Sequence, residues 1–251
     1  MRIVIIGDGN VSWHFAKRLL ASDSIQLTIH SRKALNSSWG ELNGFQHSES
    51  TITSESIDLI ILAIADQAIA EVASSYRFPD NAIVVHTAGS VPVSILNSFT
   101  NYGVIYPLQS LRAGFEVEEL PILIEASSPK VLEQISKVAY LITSTVQGAN
   151  SEQRKQLHLA AVFASNFVNH LLAIVEKLSQ ERQLDADLLR PLVKETVRKA
   201  FEMGAKNAQT GPAKRQDQAT MDAHMELLNH AYEKQVYALL SQGIVSYQEN
   251  E

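Results

Sequence analysis

The chain has no cysteine. That absence excludes disulfides, thiolate metal sites and a cysteine nucleophile, and it fits a reducing compartment, so a cytoplasmic protein is expected. Charge is sparse: 19% of the 251 residues are charged and the formal net charge is −6. This balance argues against a general nucleic-acid binder. There is no long charge run, low-complexity tract or internal repeat. No basic segment or small-residue cleavage site accompanies the first apolar run, so Ile3–Ile6 reads as a strand rather than a leader. The most apolar later stretch, Leu157–Val175, carries His158, Asn166, Asn169 and His170, which makes it a poor membrane span. The histidines show no H-x-x-x-H or H-E-x-x-H spacing beside carboxylates, so no metal site is expected. No G-x-S-x-G elbow points to a hydrolase.

What the chain does contain is a Gly7-Asp8-Gly9-Asn10-Val11-Ser12 turn directly after Ile3–Ile6. A strand that enters such a turn and leaves as a helix brings free N–H groups and a positive dipole end to a pyrophosphate. Gly7 permits the turn, and Gly9 lets the backbone approach the anion. Ser12 stands where a third glycine usually packs the helix on the strand. The amphipathic run Phe15, Ala16, Leu19, Leu20 supplies the helix.

Short apolar runs recur at Ile3–Ile6, Gln26–His30, Leu59–Ile64, Ala82–His86, Gly103–Tyr106, Ile122–Glu125 and, more weakly, Thr143–Val146. Runs with no polar face suit strands covered on both sides of a mostly parallel sheet. Amphipathic segments lie between them. The expectation is a Rossmann-like, doubly wound α/β domain over residues 1–150, followed by an all-α domain over 151–251. Asn150 and Gln153 have the spacing of a capping box. Helices are expected at 151–181, 185–207 and 217–246. The Gln209-Thr-Gly-Pro-Ala turn separates the last two, and Asp217 is placed to cap the final one.

Around the end of the second strand, His30-Ser31-Arg32-Lys33, there is no acid to hold a ribose 2′-hydroxyl. Ser31 and Arg32 suit a 2′-phosphate, so NADP(H) is expected over NAD(H). Ligands in open α/β sheets sit at the carboxyl ends of strands, which adds Ala63, Ile64 and Asp66, then His86, Thr87, Ala88 and Gly89, to the cofactor candidates. His86 is either one of these or a buried histidine satisfied by the backbone.

On the long apolar helix, regular α-geometry brings His158, Ser165 and Asn169 within about 40° of one another, with Asn166 and His170 flanking them. The hydrocarbon on its other faces predicts a helix buried all round. Its polar row is then either an internal hydrogen-bond network or the wall of a polar pocket. Thr210 and Arg215 form a second polar cluster.

The motifs Gly7-Asp-Gly-Asn-Val-Ser-Trp-His14, His86-Thr-Ala-Gly89, Tyr106-Pro-Leu-Gln109, Gln153–Ala161, Ser165–His170 and Gln209–Ala213 resemble a bacterial family classed as NADP oxidoreductases, in which a Rossmann-like domain precedes a helical domain of unknown function. More distantly, the chain is similar to pyrroline-5-carboxylate reductase, the deazaflavin-dependent NADP oxidoreductases and the β-hydroxyacid dehydrogenases. The resemblance implies a homodimer with interlocked helical domains. It also implies hydride transfer between NADP(H) and a small carbonyl, imine or alcohol held between the domains. His158 would act as acid/base, with His170 as the other candidate. Asn166 and Asn169 would anchor substrate, and Thr210 and Arg215 would grip its carboxylate. In β-hydroxyacid dehydrogenases a lysine lies one turn before an asparagine. If Asn166 is that asparagine, Val162 holds the lysine's place. Two other readings stay open: a non-catalytic NADP(H)-binding sensor, and hydride exchange between NADP and a deazaflavin.

Overall fold

The computed structural model of the chain describes residues 1–48 and 56–249. One sheet contains β1 (Arg2–Ile6), β2 (Gln26–His30), β3 (Phe45–Ser48), β4 (Leu59–Leu62), β5 (Ile83–His86), β6 (Asn101–Pro107), β7 (Ile122–Ala126) and β8 (Val146–Gly148), in the order β3-β2-β1-β4-β5-β6-β7-β8. All neighbours pair in parallel except β6 and β7. The chain order reverses at β1, which lies between β2 and β4, and this opens a crevice at the carboxyl ends of β1 and β4.

The apolar strands are covered on both faces. Ile3 and Ile5 pack with Trp13, Phe15 and Leu19 of α1 (Asn10–Leu19) and with Ile135 and Val138 of α3 (Pro129–Ile142). The alternate residues Val4 and Ile6 pack with Ile69 and Ala73 of α2 (Asp66–Ser75) on the other side. Strand β3 escapes the apolar-run pattern because Phe45-Gln-His-Ser48 is short, polar and on the sheet edge.

Helices follow as α4 (Ser151–Ala161), a π-helical segment (Val162–Phe167), α5 (Val168–Glu181), α6 (Arg190–Met203), α7 (Ala205–Ala208), α8 (Gln218–Leu227) and α9 (Ala231–Glu249). The expected 185–207 helix is broken at Gly204, whose φ is 83°. The expected 217–246 helix is two helices. Long helices begin at Ser151, whereas the compact units are Met1–Asn166 and Phe167–Glu251, parted inside the π segment.

The second unit has almost no core of its own. Among its described residues only Ser179, Ala213 and Glu233 are buried, while Phe201 is 87% and Leu188 76% exposed. This corrects the expectation of an apolar helix buried all round. The run Ser151–Glu181 is long and apolar enough to cross a membrane, yet none of its most apolar window is buried within this chain. The hydrocarbon side chains of that window are left uncovered within this chain.

Candidate functional site

The β1–α1 turn has the form of a phosphate cradle. Gly7 has φ +114°, and a Cβ there would overlap the Ala63 carbonyl, so β1 and β4 can converge only with glycine at this position. The Gly7 N–H donates to His30 O at 2.8 Å and fixes the turn. Gly9 caps α1, with no atom within 4 Å of where its Cβ would stand. The first intrahelical bond is from Trp13 N to Gly9 O, so the N–H groups of Asn10, Val11 and Ser12 have no partner within the helix. Open space, free donors and a helix dipole suit a pyrophosphate. Ser12 is fully buried and packs the helix as the missing glycine would. Asn10 Oδ1 accepts the Ala113 N–H at 3.0 Å, so its side chain ties the loop after β6 to α1.

A cleft of about 650 Å³ runs from this cradle in both directions. Gly7, Gly9, Asn10, Val11, Ser31, Arg32, Ala63, Ile64, Asp66 and Thr87 all line it. At one end Arg32 is exposed, whereas Ser31 is buried. The Ser31 hydroxyl donates to Lys33 O at 2.5 Å and meets His47 Nε2 at 2.8 Å, so its proton is already engaged. Glu71 and Tyr76 also line this end. The Tyr76 ring stands edge-on to His30, centroids 6.1 Å apart. Neither residue belongs to a glycine or strand-end motif, so both escaped the sequence reading.

At the other end, Asp66 accepts the Ser90 hydroxyl at 2.8 Å. His86 lies beneath the loop, not on the cleft. It is fully buried, and its Nδ1 accepts the Ala88 N–H at 3.2 Å. Burial, with Arg154 nearby, lowers its pKa to about 4, so it stays neutral. Ala88 is buried as well.

Helix α4 delivers His158 to this loop. The capping box forms, with Asn150 Oδ1 accepting the Gln153 N–H at 2.9 Å and Gln153 Oε1 the Asn150 N–H at 3.0 Å. The Ser151 hydroxyl accepts the Val93 N–H and donates to Glu125. Arg154, 1% exposed, forms an ion pair with Glu125 and donates to Val91 O at 2.6 Å. Residues 151, 154 and 158 share one helix face, so these anchors aim His158 at the strand ends. His158 Nδ1 lies 2.8 Å from the Tyr106 hydroxyl at the end of β6. Burial, and then the Asp66 charge, hold the Tyr106 phenol above its usual pKa, with Arg154 opposing. Asp66 thus belongs both to the cleft lining and to the surroundings of this pair.

The remaining candidates are placed otherwise. The π segment inserts a wider turn and shifts the helix face by about one residue, roughly 100°, so the row computed for regular α-geometry does not persist past Val162. Asn166, Asn169 and His170 are exposed, and His170 Nε2 meets the Tyr232 hydroxyl at 2.7 Å. Thr210 and Arg215 are exposed in the turn before α8, whose N-terminus Asp217 caps through the Thr220 N–H at 3.1 Å. Asn169, His170, Thr210 and Arg215 belong to the second unit, and the cleft-lining residues to the first. Among the described residues no group of three His, Asp or Glu could hold a metal.

Residues 120–244 match the family described as "Domain of unknown function (DUF2520)". No curated protein matches the chain. Among solved structures, a "putative NADP oxidoreductase" from Bacteroides fragilis is 34% identical, with a TM-score of 0.89 and 98% of each chain covered. A Thermotoga maritima protein is 22% identical, with a TM-score of 0.70 and 98% of each chain covered. The 1-pyrroline-5-carboxylate reductase of Streptococcus pyogenes, 14% identical over 98% of each chain, shares the fold at a TM-score of 0.62. The likeness to the Bacteroides protein spans cradle, sheet and helices alike, and the chain belongs to its family, in which a Rossmann-like NAD(P)-oxidoreductase fold is followed by a helical domain of unknown function.

Proposed function

We propose that the protein is an NADP-dependent oxidoreductase acting on a small carbonyl, imine or alcohol. The observation that carries this reading is the Tyr106–His158 pair seated on Gly89, two residues from Thr87 on the cleft lining. A proton donor beside the strand ends is what reduction of such a group requires. Gly7 to Val11 would hold the pyrophosphate and Arg32 the 2′-phosphate. NADP(H), when bound, supplies or accepts the hydride. His158 would donate or accept the proton. The Plasmodium falciparum pyrroline carboxylate reductase, similar in fold at a TM-score of 0.63, was solved with NADP bound.

The bare second unit supports a homodimer, since a second copy would cover Leu188 and Phe201. Asn166, Asn169, Thr210 and Arg215 would then serve substrate binding in the assembled dimer. The absence of cysteine suits a cytoplasmic setting.

Calorimetric titration with NADPH and NADH tests the cofactor assignment. NADPH is expected to bind at least about tenfold more tightly, the effect of one charge-assisted phosphate contact. Equal affinities would remove the 2′-phosphate argument, and no binding of either would remove the function. Light scattering on Leu188→Asp with Phe201→Asp tests the dimer, which should fall to monomers; a wild-type monomer would overturn it.

A further inference from the structure

We propose that Tyr106 locks His158 in the tautomer that carries its proton on Nε2, so that the imidazole offers substrate a donor and selects a carbonyl over an iminium. This rests on the oxidoreductase reading but is decided by separate measurements.

The geometry leaves the ring one seat. A Cβ on Gly89 would lie 2.6 Å from His158 Nδ1 and 2.9 Å from Tyr106 Cζ, so imidazole and phenol both rest on the bare backbone. The rings meet edge to face, 72° between planes. Nδ1 is 2.8 Å from the phenol oxygen. Tyr106 is 8% exposed, and a buried phenol near the Asp66 carboxylate keeps its proton. The phenol has no other hydrogen-bond partner among the described residues, so its proton goes to Nδ1, which accepts, and Nε2 bears the hydrogen. His158 is half-buried, and its Nε2 makes no hydrogen bond to the described residues. That N–H is unpartnered among the described residues, which leaves it for a substrate.

A donor at this point complements a carbonyl oxygen. An iminium N–H is itself a donor and would meet N–H with N–H. When hydride reaches a carbonyl carbon, the C=O π pair passes to oxygen as an alkoxide. The Nε2–H bond breaks and the alkoxide O–H forms. Nδ1 takes the Tyr106 proton as the phenol O–H breaks; the proton then returns from Nδ1 to the phenolate as Nε2 takes one from solvent, which restores the starting tautomer. The relay runs downhill because an alkoxide is more basic than a phenolate. Tyr106 acts through His158 and is a positioning residue.

Nitrogen-15 NMR of histidine-labelled protein, with His158 assigned by His158→Gln, reads the tautomer directly and needs no substrate. The expected pattern has Nε2 protonated and Nδ1 bare, relaxing to a mixture in Tyr106→Phe. An Nδ1-protonated ring in the wild type would overturn the lock. Turnover of phenylglyoxal and pyruvate with NADPH should fall at least about 100-fold in Tyr106→Phe, with the Kd for NADPH unchanged. Equal turnover would overturn the relay, and faster reduction of 1-pyrroline than of either carbonyl would overturn the substrate class. A wild type that reduces no probe would count against the oxidoreductase reading, while the NMR result still decides the lock.

Discussion

His158 Nδ1 lies 2.6 Å from the point where a Gly89 side chain would begin. The backbone of the β5 loop and the imidazole of α4 are therefore in contact, with no atom to spare between them. Replacing Gly89 by alanine must displace His158, Tyr106 or the loop. Overpacking of this kind costs about 1–3 kcal/mol. Urea unfolding of Gly89→Ala should show a lowered midpoint, together with loss of the Tyr106–His158 hydrogen bond by NMR. An unchanged midpoint would mean that the loop relaxes freely.

Arg154 is the buried charge that anchors α4, and Glu125 is its only carboxylate partner among the described residues. Glu125→Ala leaves a guanidinium 1% exposed without its counter-ion. Removing one member of a buried pair costs about 3–5 kcal/mol. The double change Glu125→Leu with Arg154→Met should recover much of that loss, because it removes both charges. A single-mutant loss under about 1 kcal/mol by urea unfolding would contradict this view of the anchor.

His86 predicts acid sensitivity. Its folded pKa is lowered to about 4 from 6.5, so the unfolded chain binds the extra proton between those values. Stability should be full above about pH 6.5 and should fall as pH drops toward 4, by about 3 kcal/mol in all. Burial lowers the His14 and His30 pKa values in the same direction. Urea midpoints at pH 7 and pH 4.5 measure the effect. His86→Asn, which keeps an acceptor near the Ala88 N–H, should lessen the pH dependence, and an unaltered dependence would assign it elsewhere.

Arg32 and Ser31 should contribute unequally to cofactor choice. Arg32 is exposed on the cleft, whereas the Ser31 proton is held by Lys33 O. Arg32→Ala should weaken NADPH about 10- to 100-fold and leave NADH nearly unchanged. Ser31→Ala should weaken NADPH by much less. A larger effect at Ser31 would show that its hydroxyl turns to the phosphate on binding.

The parts of this protein that were legible in its sequence are those ruled by local sterics and simple periods. Apolar strands such as Leu59–Leu62 announced burial on both faces. Gly7 and Gly9 marked a backbone that must turn and be approached. Asn150 with Gln153, and Asp217 before α8, marked helix starts, because an orphan N–H needs an oxygen at a set spacing. Edge strand β3 was hidden by its polar residues. The polar row beyond Val162 was misread because a single π turn changes the angle between residues, and no propensity forecasts that turn.

Local residue patterns are enough to specify the α/β class, the glycine turn and its place in the chain. Which side chains meet is a matter of the folded sheet: Tyr106 with His158, Glu125 with Arg154, Ser31 with Lys33 and His47. Each of the first two pairs joins a strand to α4, and the last set joins the β2 turn to β3. Such meetings depend on strand order and register, which are settled by the packing of the whole sheet rather than by any local run of residues.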